Sequence, residues 1–347
     1  MSKSSKFFVT LFAISLIACA TAFAQGTEPP HPQASQNAPA AKEEDHPYSP
    51  EDEDEPQIPS GANEFAVLPS DTDSRITEFN TAHICLTPQG TARNQLFLFI
   101  PGTGGQPRKG FPLAETAANL GYHVIELMYP DNLAAQVACG RNRDPDAHIK
   151  FRMALIRGGR LLPDRVIQPA DSIESRLFML LSYLRAKKPD QGWGQFLTSK
   201  DEIDWSKFAV SGQSQGGGHA YVLGKYHKVA RVIMTGSPKD YSFIRHQPAK
   251  GFDGNTMTPL NRFFAFNHVL DNGNGCTHDQ QTEILQQIGL FNYGTAIVNK
   301  EAPPYKHAHV LYIDQPLPQK KYHGSPIGGK LPCCVPTWKY MLTEPVK

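Results

Sequence analysis

The stretch Phe208-Ala209-Val210-Ser211-Gly212-Gln213-Ser214-Gln215-Gly216-Gly217-Gly218-His219-Ala220-Tyr221-Val222 opens as an apolar run of strand length and closes in a run suited to a helix. Between them lies Gly-x-Ser-x-Gly. A serine on so sharp a strand-to-helix turn has a strained backbone, and a side chain at either flanking glycine would meet the neighbouring strand or helix. Both contexts that the pentapeptide requires are present, so Ser214 is the candidate nucleophile. The competing reading is a Gly-rich phosphate or packing loop, but the chain lacks the Lys-Ser/Thr that a phosphate loop needs.

Outward from this stretch the same alternation continues. Apolar runs occupy Gln95 to Ile100, His123 to Met128, Val229 to Thr235, Phe263 to Leu270 and His309 to Ile313. Short apolar runs without polar alternation suit strands buried on both faces of a parallel sheet. Helix-like stretches lie between them at Pro112 to Leu120, Ser172 to Lys188, Gly217 to Tyr226 and Thr282 to Gly289. Strand and helix in alternation define an α/β architecture, a mostly parallel central sheet flanked by helices on both faces. The segment Asn132 to Pro169 is too long for a simple crossover and reads as an insertion over the active-site end of the sheet, against the plainer reading of a surface excursion.

Pro101-Gly102-Thr103-Gly104-Gly105 follows the first of these runs directly. Glycines there let backbone N–H groups converge on a developing oxyanion, an interaction worth about 3 to 4 kcal/mol per donor. The expected donors are the amides of Gln215 and of Thr103 or Gly104. With elbow and loop together the chain resembles the α/β-hydrolase superfamily, specifically secreted bacterial esterase-like proteins with Gly-Gln-Ser-Gln-Gly at the elbow. The resemblance covers roughly residues 90 to 343, and only the elbow and the Gly-rich loop are specific. It implies the chain order nucleophile, acid, histidine. His323, in Tyr322-His323-Gly324-Ser325 beyond the last apolar run, then takes the base position. His307 and His309 sit at the wrong end of that run, and His219 belongs to the helix after Ser214. Asp271, at the end of the Phe263 run, is the expected acid. Asp240 in Gly236-Ser237-Pro238-Lys239-Asp240 is its rival, and Asp253 and Asp279 are minor candidates. Asp271 to Gly275 also reads as a turn, and its single carboxylate argues against a calcium loop.

The chain has 347 residues, 34 Lys and Arg against 33 Asp and Glu. Lys3 and Lys6, an apolar run from Phe7 to Ala18 and Ala22-Phe23-Ala24 read as a signal peptide over 1–24, because the run is too short to span roughly 30 Å of hydrocarbon. Leu16-Ile17-Ala18-Cys19 offers a lipobox instead, which would tether the protein to a membrane through lipidated Cys19. Residues 25–60 are Pro/Ala-rich and acidic, with few large apolar side chains to offset ordering entropy, and read as a disordered linker. Its acidic run could hold Ca²⁺ or a basic partner, though a solvated tether is the simpler account. Residues 61–347 then form one α/β-hydrolase domain. Three lysines and nine carboxylates fall in residues 1–60, which leaves this domain mildly basic, at about +7. No aromatic-interleaved basic face points to nucleic acid, and the spacing of Cys85, Cys139, Cys276, Cys333 and Cys334 suits no zinc site. For an exported protein these five thiols predict one or two disulfides.

These readings converge on an exported, periplasmic or secreted, serine esterase without cofactor or metal. Alternatives are an acyltransferase that shares the acyl-enzyme, and a hydrolase-like binding protein of the cell envelope. Phe111, Tyr129, Phe243, Phe252 and Phe291 are candidates for an acyl pocket, although aromatics usually belong to the core.

Overall fold

The computed structural model describes residues 64–273, 275–318 and 321–346. The expected signal segment 1–24, Cys19 and the linker 25–60 lie outside the described residues. The strands are β1 Glu64–Val67, β2 His83–Leu86, β3 Leu96–Ile100, β4 His123–Glu126, β5 Gly159–Leu162, β6 Arg165–Ile167, β7 Phe208–Gln213, β8 Arg231–Thr235, β9 Tyr241–Ser242, β10 Gln247–Pro248, β11 Phe263–His268, β12 Thr295–Ile297 and β13 Val310–Ile313. The helices are α1 Pro69–Thr72, α2 Phe111–Asn119, α3 Ala135–Cys139, α4 Ala147–Arg157, α5 Ile173–Lys187, α6 Gln215–Tyr226, α7 His278–Ile288 and α8 Cys334–Thr343.

Nine strands form one sheet in the order β1-β2-β4-β3-β7-β8-β11-β13-β12. From β4 to β12 all neighbours are parallel, and β2 runs antiparallel to both β1 and β4. The pleat explains why the core strands are apolar without interruption, since successive side chains enter opposite faces and both faces are covered. Leu96, Leu98 and Ile100 of β3 join Val210 and Met234 in a core closed by α4, α5, α6 and α7. Phe97 and Phe99 turn the other way and join Ile233 and Phe266 under α2 and α8. All five β3 side chains are fully buried, each worth roughly 1.5 to 3 kcal/mol by removal from water.

The central runs thus fold as their composition predicts. The edge strands β1 and β12, and β2 next to β1, have three or four residues each, and none of them is among the apolar runs read from the sequence. The segment 132–169 is more structured than a plain insertion. It supplies α3, α4 and the hairpin of β5 with β6, and α4 packs its buried Phe151, Leu155 and Ile156 into the core. Helix α7 starts one turn before the expected Thr282. Thr277 accepts from the Gln280 amide while the Gln280 side chain bonds back to the Thr277 amide, a capping box spelled Thr-x-x-Gln in the sequence. Thr277→Ala is expected to lower stability by about 1 kcal/mol, read as a lower urea midpoint with an unchanged slope.

Candidate active site

The helices after the adjacent strands β3 and β7 lie on opposite faces, α2 in one core and α6 in the other. Between such strands the carboxyl ends open a crevice, the usual place for a ligand in an open α/β sheet. The loop Pro101–Gly105 and the turn at Ser214 both fall there.

Ser214 has φ 54° and ψ −118°, a conformation costing about 1 to 3 kcal/mol in a residue with a side chain. The turn is held by the Ser214 N–H, which donates to the Thr235 carbonyl at 2.8 Å. Both flanking glycines are obligatory for spatial reasons. A β-carbon on Gly216 would lie 1.9 Å from the Ile100 carbonyl oxygen, and one on Gly212 would lie 2.3 Å from the Gly216 carbonyl carbon. Gly102 lies against Gln213 and Ser214, so the loop Pro101–Gly105 meets the elbow directly.

Gln215 is clamped from two sides. Its carbonyl accepts from Arg152 Nη1 at 2.8 Å, and its Oε1 accepts from the Ala135 amide at 2.7 Å. Its own amide is the first of α6 and has no partner within the helix. The pair Thr103 and Gly104 is narrowed by the structure. Gly104 N–H donates to the Asp131 carbonyl at 3.0 Å and is spent on holding the loop. Among the described residues the exposed Thr103 has a backbone N–H without a partner, so of the two amides only that of Thr103 is free.

His323 and Asp271, 52 residues apart, meet through Nδ1 and Oδ2 at 2.8 Å. Asp271 follows β11, and His323 follows β13, its neighbour in the sheet; the edge strand β12 intervenes in the chain. The His323 ring lies against Gly236, where a β-carbon would meet its Cε1 at 3.2 Å. Gly236 directly follows Thr235, whose carbonyl holds Ser214, which brings base and elbow to one place. Burial pushes the Asp271 carboxyl up, but the hydrogen bond and charge of His323 and the Lys239 ammonium outweigh it and hold the group at about 2. Burial lowers the His323 pKa, and Asp271 offsets this only in part. The acid stays ionised, and the imidazole stays neutral at neutral pH.

Asp240 does not meet His323; it is held elsewhere. Asp240 takes Arg152 Nε at 2.6 Å and Nη2 at 2.7 Å, with neither side chain more than 2% exposed. This fork-to-fork pair is committed to structure and sits behind α6, where a β-carbon on Gly218 would lie 2.1 Å from the guanidinium. Asp253 pairs with Lys225 at 2.7 Å, and Asp279 is exposed in the first turn of α7. His219 is fully buried, edge-on to Tyr129 at 5.4 Å. His309 contacts the Phe263 carbonyl and His307 the Glu344 carboxylate, both away from Ser214. Of the aromatics, Phe111, Tyr129 and Phe252 are buried in the core, and Phe243 and Phe291 are half-buried against it. The five cysteines form no disulfide: all are free thiols, with Cys85 walled into the core from β2 and Cys333 and Cys334 adjacent at the start of α8. Among the described residues no cluster of three His, Cys, Asp or Glu is arranged to hold a metal ion.

The mostly parallel nine-stranded sheet with helices on both faces and the strand-to-helix turn at Ser214 together make this the α/β-hydrolase fold. No protein-family model and no curated protein matches the chain. Among solved structures it is similar to the dienelactone hydrolase of Anabaena variabilis, at 16% identity and TM-score 0.40, over 79% of this chain and 92% of that one. It is similar also to esterase 2 of Thermogutta terrifontis, at 12% identity and TM-score 0.41, over 83% and 93%.

Asp240→Asn leaves a buried guanidinium without its counter-charge and is expected to cost about 3 to 5 kcal/mol. Replacing both partners, as Arg152→Met with Asp240→Leu, is expected to recover much of that loss, measured by chemical denaturation.

Proposed function

We propose that the chain is an exported serine hydrolase that cleaves a carboxylic ester. Ser214 Oγ adds to the ester carbonyl while His323 Nε2 takes its proton, and the Gln215 and Thr103 amides receive the oxyanion. Collapse of this intermediate expels the alcohol, which takes the proton back from His323. Water, activated by the same imidazole, then releases the acid. Asp271 fixes the His323 tautomer with Nδ1–H inward and stabilises the imidazolium without itself being protonated. The observation that carries this reading is the contact of His323 Nδ1 with Asp271 Oδ2 at 2.8 Å beside the elbow. The scheme calls on no cofactor. Export rests on the character of residues 1–24, with anchoring through Cys19 as the alternative route.

Ser214→Ala is expected to leave a folded protein, by circular dichroism, whose p-nitrophenyl ester turnover is down about 10⁴-fold or more; most of the activity surviving would refute the assignment. Asp271→Asn is expected to cost about 10³- to 10⁴-fold in kcat through the wrong imidazole tautomer. Because the His323 pKa is lowered, kcat/KM is expected to fall toward acid with a midpoint below the ordinary histidine value of 6.5, checked by a pH profile. An added alcohol or amine acceptor, with product analysis, distinguishes hydrolysis from acyl transfer.

A further inference from the structure

Lys239 is a buried cation beside the acid that the scheme above leaves unused. It stands in the loop after β8, and its side chain is 6% exposed. Its ammonium reaches Asp271 Oδ2 at 3.2 Å and the carbonyls of Gly273 at 3.0 Å and Cys276 at 3.2 Å. The same Oδ2 receives His323 Nδ1 at 2.8 Å and Gln281 Nε2 at 3.4 Å. One carboxylate oxygen is therefore shared by three donors, and the turn that follows the acid wraps around one ammonium. An ammonium there satisfies two carbonyls of the turn and the buried carboxylate at once, which no neutral side chain does.

We propose that Lys239 is a positioning residue of the active site, one that shapes the Asp271 turn and sets how strongly the acid acts on His323. The proposal rests on the Ser214, His323 and Asp271 reading. By competing for Oδ2 the ammonium weakens the pull of Asp271 on the Nδ1 proton. As a like charge near the ring it also disfavours the imidazolium, so His323 remains a free base to lower pH. The charged and titratable groups around this cluster come from several elements. Lys109, before α2, and Lys239 both act on His323. Asp271 acts on His268 of β11, on His278 of α7 and on Cys276. Asp240, next to Lys239 in the chain, is already bound by Arg152.

The test uses the full chain and three variants. Lys239→Met removes both donor and charge, Lys239→Gln keeps a donor without charge, and Lys239→Arg keeps the charge. In Lys239→Met, kcat is expected to fall about 10- to 100-fold with KM within about threefold. In both neutral variants the acid-side midpoint of kcat/KM is expected to rise by about half to one pH unit. Lys239→Arg is expected to keep the wild-type midpoint even where its kcat is lower, and Lys239→Gln to recover part of kcat relative to Lys239→Met. A midpoint unchanged in Lys239→Gln, or displaced as far in Lys239→Arg as in Lys239→Gln, overturns the proposal, and these two variants decide it should Lys239→Met fail to fold. Labelling of wild-type Ser214 by a fluorophosphonate probe keeps the two levels apart. A labelled Ser214 with an unmoved profile defeats the role of Lys239 alone, whereas an unlabelled Ser214 defeats both.

Discussion

The approach of α6 to β3 at Gly216 is the contact on which the rest of the structure turns. A peptide group with no β-carbon passes so close to the Ile100 carbonyl that any side chain would be driven into it. That closeness is what allows the chain to leave β7 and enter α6 within one residue, with Ser214 at φ 54° as the pivot. The strain is sustained because the surroundings over-determine the turn. The Ser214 amide is tied to the next strand at Thr235, and the β7 backbone is paired on both sides. Release of any one of these would let the serine retreat toward an ordinary helix cap.

The neighbouring charges divide into two buried arrangements with different purposes. Arg152 and Asp240 bind one another through two hydrogen bonds, and a further guanidinium N–H goes to the Gln215 carbonyl. Arg152 thereby joins α4 to the loop after β8 and to the start of α6, so the segment between β4 and α5 supports the elbow from behind. Asp271 is bound less completely. It shares one oxygen among His323, Lys239 and Gln281, which leaves its negative charge directed at the imidazole. The Asp240 carboxylate has both oxygens and its charge committed to a buried guanidinium, whereas Asp271 turns one oxygen to an imidazole as well as to an ammonium and an amide. This difference, more than position in the chain, separates a structural aspartate from one suited to an acid–base relay.

Much of this was legible in the chain. The uninterrupted apolar runs located β3, β4, β7, β8, β11 and β13, because strands covered on both faces need apolar side chains in both directions. The elbow announced itself, since Gly-Gln-Ser-Gln-Gly between a strand and a helix is a local steric requirement written in consecutive residues. Thr277 and Gln280 also spelled the start of α7, although the apolar spacing alone placed that start one turn too late. The edge strands were invisible for the opposite reason. Three or four residues at the margin of a sheet carry no period long enough to read.

The sequence by itself determined the layered architecture and the seat of Ser214, because each follows from residues near one another in the chain; the neighbourhoods of Asp271 and His323 came from the chain order that the resemblance to α/β-hydrolases implies. Only the tertiary structure placed Asp271 and not Asp240 against His323, tied down the Gly104 amide but not that of Thr103, and set Lys239 beside Asp271. Those placements depend on which groups far apart in the chain, up to 88 residues, become neighbours. Arg152 claims Asp240, Asp131 claims the Gly104 amide, and Lys239 reaches the turn after β11. Hydrogen bonds at such separations are fixed by the packing of whole strands and helices, and no spacing along one chain records them.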